Sequence, residues 1–498
     1  MIGGAMNTRL IKETRDLLPI VAGSLLLIAA PYLIFHLNDA GLGYAVLGLA
    51  CAVMGGSSFG NEFQHRTISL LLAQPIARSV LWRDKMLILG AGMLASLVVL
   101  EVCLQVCCHV VGAELWLVPV LIPLCAFCGA PCWTLLLRHG IGGMVFAVAM
   151  PGLLLGVNAL LAERLLDEQT IAQVLVLIVV IYCALVYWLG YAIFKRLEAV
   201  DGPSRELSLP AGLEAFFMRP LTSVSSRFQS PFATLLKKEF RLQQISFLLA
   251  GLFVLVAVVS ACLNNYHRDL AQGIIAADIF IYVVILPLIA GATSVAEEKG
   301  WGIAEWHLTL PPSALKQWAA KMLAALSTSL VLGLVLPIAT FMAGLALFGQ
   351  LGARGSFPSA LEILCWPLGS LLLTSVAIYA GSISTSTLRA ILGTVGIAVA
   401  AYAVCFLVGV ALVKASRGLV SSTYLSSPGP QVIPLLLAGG LFFVLCVVQW
   451  LAWSNYRRCR LPARKIVVQV VAILLCIGLT TLVLLLTYFI LSIGPVIR

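Results

Sequence analysis

Thirteen stretches of this 498-residue sequence are apolar for long enough to cross a lipid bilayer. A spanning helix needs about 20 residues at 1.5 Å rise each, so these runs consume most of the chain. They lie near residues 17–36, 42–60, 86–110, 115–137, 140–161, 171–194, 245–264, 274–296, 322–348, 361–385, 390–413, 431–453 and 466–490. The longest interval outside them, Lys195 to Gln244, falls at or below the short end of the ~50–250-residue range of ordinary domains. That excludes a soluble catalytic domain, a nucleotide-binding domain and a large ectodomain. Composition agrees: 61% of residues are hydrophobic and 10% charged, against ~45–50% and ~25% in soluble chains. The expected fold is an all-α polytopic membrane protein.

The net charge of +10 is a statement about topology. With the spans read alternately from a cytoplasmic N-terminus, 25 of the 31 Lys and Arg fall on one side. The exceptions are Arg164, Arg268, Arg354, Lys414, Arg417 and Arg498. This is the bias of cytoplasmic loops, and it places the chain in the cell's inner (cytoplasmic) membrane with its N-terminus inside. Anionic lipid, not nucleic acid, is the expected polyanion. The run Leu17–Phe35 reads as a retained first span, since it is span length and lacks a clear small-residue cleavage site. The fourteen cysteines lie mostly within apolar runs, including Cys125, Cys128 and Cys132 on span four and Cys103, Cys107 and Cys108 on span three. They read as small hydrophobes and not as a disulfide or metal framework.

An internal repeat organises the chain. Thr8, Leu10, Lys12, Glu13 and Arg15 recur as Thr234, Leu236, Lys238, Glu239 and Arg241. Gly55 to Met86 aligns without a gap on Gly291 to Met322, and Gly55, Ser58, Glu62, Leu72, Pro75, Trp82, Lys85 and Met86 recur identically. Arg138 and Gly142 match Arg389 and Gly393, and Trp188-Leu189 matches Trp450-Leu451. Each unit holds an even number of spans, so the two six-helix pseudo-repeats run parallel. The expected division is a first six-span half at 1–200, a cytoplasmic linker at 201–232, a second half at 233–460, and an extra C-terminal helix at 461–498.

The most informative segment lies between spans two and three, Gly60 to Met86. Glu62 and Arg66 stand at i,i+4, where they can pair on a helix surface. Leu70 to Leu72 follow, and Pro75 breaks the run. Two short amphipathic pieces bent at a proline suit a membrane interface. An ordinary interfacial loop drifts, whereas this one recurs with its length, Glu298, Pro311 and Lys321 in place.

This pattern resembles the permease subunits of ABC type-2 exporters, over about residues 6–200 and 232–460. The resemblance implies two six-span permeases fused in one chain. It implies that the segment after span two is a coupling helix docked on a separate ATPase, and that the charged arm before span one is a connecting helix. Glu62, Arg66, Thr67, Leu72, Pro75 and Arg78 would couple in the first half, and Glu298, Gly302, Leu308 and Pro311 in the second. ATP binding would close two ATPase copies and push both elbows. ATP and Mg would belong to the partner, because a phosphate-cradling loop needs a Gly-Lys step and the sequence has none. No cofactor, metal site or enzymatic activity is expected in this chain.

Ionisable groups at bilayer depth are functional candidates. Glu101 sits about 22 Å along span three from Met86, and Gln105 and His109 follow at i+4 and i+8, a polar stripe suited to a translocation path. Two rival readings are a proton- or ion-coupled carrier using Glu101, and a non-transporting membrane scaffold.

Overall fold

The computed structural model describes residues 2–33, 40–64, 67–108, 117–165, 168–197, 231–263, 268–300, 302–309, 312–348, 360–416, 432–458 and 461–493. These residues form helices and no strand, and each of the thirteen apolar runs falls on one. The first six spans lie on α1 (Ile2–Leu33), α2 (Ala40–Gln64), α4 (Arg78–Cys103), α5 (Leu117–Leu137), α6 (Gly140–Leu165) and α7 (Glu168–Arg196), with a short α3 (Ile68–Leu72) between the second and third. An amphipathic arm, α8 (Pro231–Leu242), precedes α9 (Gln244–Leu263) and α10 (Arg268–Gly300). A short α11 (Ala304–Leu308) leads into α12 (Ala314–Leu330) and α13 (Leu336–Phe348), which together make the ninth expected span. The last four are α14 (Ala360–Ile383), α15 (Thr387–Ser416), α16 (Val432–Tyr456) and α17 (Ala463–Ile493). Among the described residues, eleven helices are long and apolar enough to cross a membrane. The two further expected spans are α6, apolar over Gly140–Gly152, and α10. The chain is an all-α polytopic membrane protein.

The helices gather into two compact units, one ending at Ala211 and the other holding every described residue from Pro231 onward. The expected linker therefore falls mostly outside the described residues. Both units obey the repeat closely. The short helices α3 and α11 have the same length and begin 236 residues apart, and the helices after them, α4 and α12, begin at the same spacing. Each unit also closes with the same aromatic clamp. In the first, Trp82 packs on Tyr191 and Phe194, with ring centroids 5.9 and 5.6 Å away. In the second, Trp318 packs on Trp453 and Tyr456 at 5.9 and 5.2 Å. Large aromatic area thus ties the start of the third span to the end of the sixth in each half.

Small residues set the tightest helix approaches. A Cβ at Gly55 would lie 2.4 Å from Ala130 Cβ, and one at its repeat mate Gly291 would lie 2.5 Å from the Thr374 carbonyl oxygen. Close packing of this kind is what associates helices where lipid removes the hydrophobic drive.

The C-terminal helix α17 belongs to the second unit and docks through a reciprocal amide pair. Asn455 donates to Gln469 Oε1 at 2.9 Å, and Gln469 donates back to Asn455 Oδ1 at 2.8 Å. Tyr379 also donates to Gln469 Oε1, at 3.3 Å. A paired polar interior of this type fixes where one apolar helix sits on another.

Candidate functional site

The arm, the C-terminal end of the second span and the N-terminal end of the third span converge on one lysine in each half. In the first, Lys85 Nζ lies 2.7 Å from Glu13 Oε2 and 2.9 Å from Glu62 Oε1, and it donates to the Ser58 carbonyl at 3.1 Å. In the second, Lys321 Nζ lies 3.0 Å from Glu239 Oε1 and 2.8 Å from Glu298 Oε1, and donates to the Ser294 carbonyl at 3.1 Å. All three partners of one lysine are repeat mates of the three partners of the other. Lys85 and Lys321 are 4% and 2% exposed, so these are buried charges that need every one of those contacts.

Glu62 and Glu298 therefore do not lie on the elbow surface. Glu62 turns inward to pair with Lys85; Arg66, its expected neighbour, lies outside the described residues. Lys85 reaches Glu62 from the helix two segments on, and its burial strengthens the charge-assisted contact. Glu298 is held down to about 2. Burial alone would raise it, but Lys321 and Lys238, the latter 2.7 Å from its Oε1, outweigh that. Glu239 shifts upward, chiefly by burial and then by the Glu298 charge, against the pull of Lys321.

The same glutamates end their helices. The Ile303 amide donates to the Glu298 carbonyl at 3.1 Å and the Gly302 amide to the Lys299 carbonyl at 3.0 Å. With Gly302 at φ +72°, this is a Schellman stop. The Thr67 amide donates to the Glu62 carbonyl at 2.9 Å in the same way. One residue thus stops the span with its backbone and anchors the arm with its side chain.

Beyond that stop the elbow turns outward. In the first half Thr67 and Leu72 are half-buried, Leu71 is buried, and Leu70, Ala73, Gln74 and Pro75 are exposed. Arg78, half-buried, donates to the Lys195 carbonyl at the end of α7. In the second half Gly302, Glu305, Trp306 and Thr309 are exposed. Pro311 and the side chain of Leu308 lie outside the described residues. Ala314 stands where Arg78 would be, and a different tie reaches the sixth span: Tyr456 donates to Gln317 Oε1 at 3.2 Å. Of the predicted elbow residues, Pro75 and Gly302 thus face outward, Thr67, Leu72 and Arg78 are half-buried, and the two glutamates face inward.

On span three a π turn, Leu104–Cys108, follows α4 just past Glu101. Glu101 is half-buried and Gln105 exposed; His109 lies outside the described residues. The second half has its own π turn at Val331–Val335, where the Tyr282 hydroxyl donates to the Leu332 carbonyl at 2.9 Å.

Cys125, Cys128 and Cys183 pack together with Val179 as an apolar cluster. Among the described residues no three His, Cys, Asp or Glu side chains are grouped to hold a metal ion.

Glu13, Glu239, Lys85 and Lys321 are the site residues that sequence reasoning did not single out. The available signal was a lysine at the same membrane entry in both repeats, together with a glutamate repeated in the arm. No family model, curated protein or solved structure matches this chain.

Proposed function

We propose that the chain is the membrane-spanning permease of an ATP-driven ABC exporter, in the cytoplasmic membrane with its N-terminus inside. The observation that carries this reading is the duplicated elbow: two short helices, bounded at identical repeat positions and each rooted in a buried lysine–dicarboxylate cluster. An exposed element on a rigid root can pass a push from a partner into a bundle. In this reading Glu62 and Glu298 couple indirectly, through the arm and the third span, while the exposed residues around Gln74 and Thr309 meet the partner. Hydrolysis of ATP then belongs to two ATPase subunits. The duplicated elbow favours this reading over a Glu101-dependent carrier, which needs neither elbow.

The test is site-specific photo-crosslinking in cells from positions 74 and 309. The expected adduct at both positions is a polypeptide that also takes up a photoreactive ATP analogue. Adducts with lipid alone, or with proteins that bind no ATP, would overturn the proposal.

A further inference from the structure

The two ion clusters share their geometry but not their charge balance. The second holds two carboxylates, Glu239 and Glu298, against two ammonium groups, because Lys238 reaches Glu298 Oε1 at 2.7 Å and stands 3.9 Å from Glu239 Oε1. The first, among the described residues, holds Glu13 and Glu62 against Lys85 alone. Its fourth member is present in the sequence: Lys12 precedes Glu13 exactly as Lys238 precedes Glu239. Yet Lys12 is exposed, and Glu62 Oε2 is buried with no hydrogen-bond partner among the described residues. Glu62 as a whole is 8% exposed.

A buried ionised oxygen without a donor is among the more costly features a fold can carry. The groups whose charge acts on Glu62 are Lys85 on α4, Glu13 on α1 and Lys12 on α1. Of these, Lys12 is the only cation that contributes no ion pair to the cluster among those described. Asp84, beside Lys85, is engaged by Arg83 at 3.5 Å.

We propose that Lys12 seats on Glu62 Oε2 in a second state of the first half, completing the cluster that Lys238 completes permanently in the second. The first-half arm is then a latch. With Lys12 in solvent, as here, the ion pairs that link α1 to the end of α2 among the described residues run through Lys85. With Lys12 seated, α1 grips Glu62 directly and fixes the residue that ends α2 and opens the elbow. The two elbows consequently differ in how firmly they are rooted. This rests on the ion clusters alone and holds whether or not the elbows meet an ATPase.

The experiment compares two thermodynamic cycles on the full chain in detergent. One combines Lys12→Met with Glu62→Gln, the other Lys238→Met with Glu298→Gln, and thermal midpoints are read for each single and double variant. The expected result is non-additivity in both cycles: Lys12→Met lowers the midpoint in the wild-type background and leaves it unchanged in Glu62→Gln. Strict additivity for Lys12 and Glu62 would overturn the latch. Should the glutamine variants not fold, zero-length carbodiimide coupling of the wild-type chain reads the same contact. A Lys12–Glu62 isopeptide link in the peptide map supports the latch, and its absence overturns it.

Discussion

Glu298 stops the tenth helix with its backbone carbonyl and holds Lys321 at 2.8 Å with its side chain. The elbow that begins four residues later cannot shift without disturbing that pair, and Glu62 with Lys85 stands in the same relation at 2.9 Å. A short, exposed helix is thereby rooted in a desolvated contact, which is the arrangement required to carry force from outside a bundle into it.

Replacing Lys321 by methionine leaves Glu239 and Glu298 buried without their shared cation. Loss of one partner from a buried ionic group costs roughly 3–5 kcal/mol. Thermal or denaturant unfolding of the purified chain checks this against Lys316→Met on the same helix, an exposed position expected to change stability by no more than roughly 0.5 kcal/mol.

Acid should loosen the second cluster through Glu298. Its folded value of about 2 lies below the ordinary 4.5, so its contribution is complete above about 4.5 and is lost as pH falls toward 2. Glu239, shifted upward, has the opposite limb: the stability it adds is present at low pH and is lost as pH rises through its folded value. Midpoints measured from pH 7 downward should fall below about 4.5 in the wild type, and fall less steeply in Glu298→Gln.

Gly302 sits at φ +72° with open space where a Cβ would go. Gly302→Ala therefore meets no clash and pays only the left-handed backbone cost of roughly 1–2 kcal/mol. Gly302→Asn should lose less, since asparagine tolerates that region. Unfolding midpoints of the two variants give the ordering.

Asn455→Leu strands the Gln469 amide under the C-terminal helix, at a cost of about 1–3 kcal/mol for a buried unsatisfied group. The double variant Asn455→Leu/Gln469→Leu removes both partners and should recover part of that loss. A double variant less stable than the sum of the singles would contradict the pairing.

Much of this fold was legible in the sequence, because length and apolarity fix spans and an identical repeat fixes their grouping. The inward turn of Glu62 and Glu298 was not legible. Spacing along a helix proposes Arg66 as the neighbour of Glu62, whereas Lys85 comes from another helix, and only tertiary packing brings it within 2.9 Å. The π turn at Leu104–Cys108, just past Glu101, was likewise hidden, because no residue in that run announces it. The role of the C-terminal helix was also hidden, because Gln469 gains meaning only opposite Asn455.

The most direct test of the permease reading is copurification of the tagged chain from its own membranes in mild detergent, with ATP hydrolysis measured on the eluate. An ATP-hydrolysing polypeptide should accompany the wild-type chain and be lost when the first elbow, residues 67–77, and the second, residues 302–312, are replaced by glycine–serine segments of equal length. A chain that purifies alone and carries solute across proteoliposomes on an ion gradient, without ATP, would contradict it.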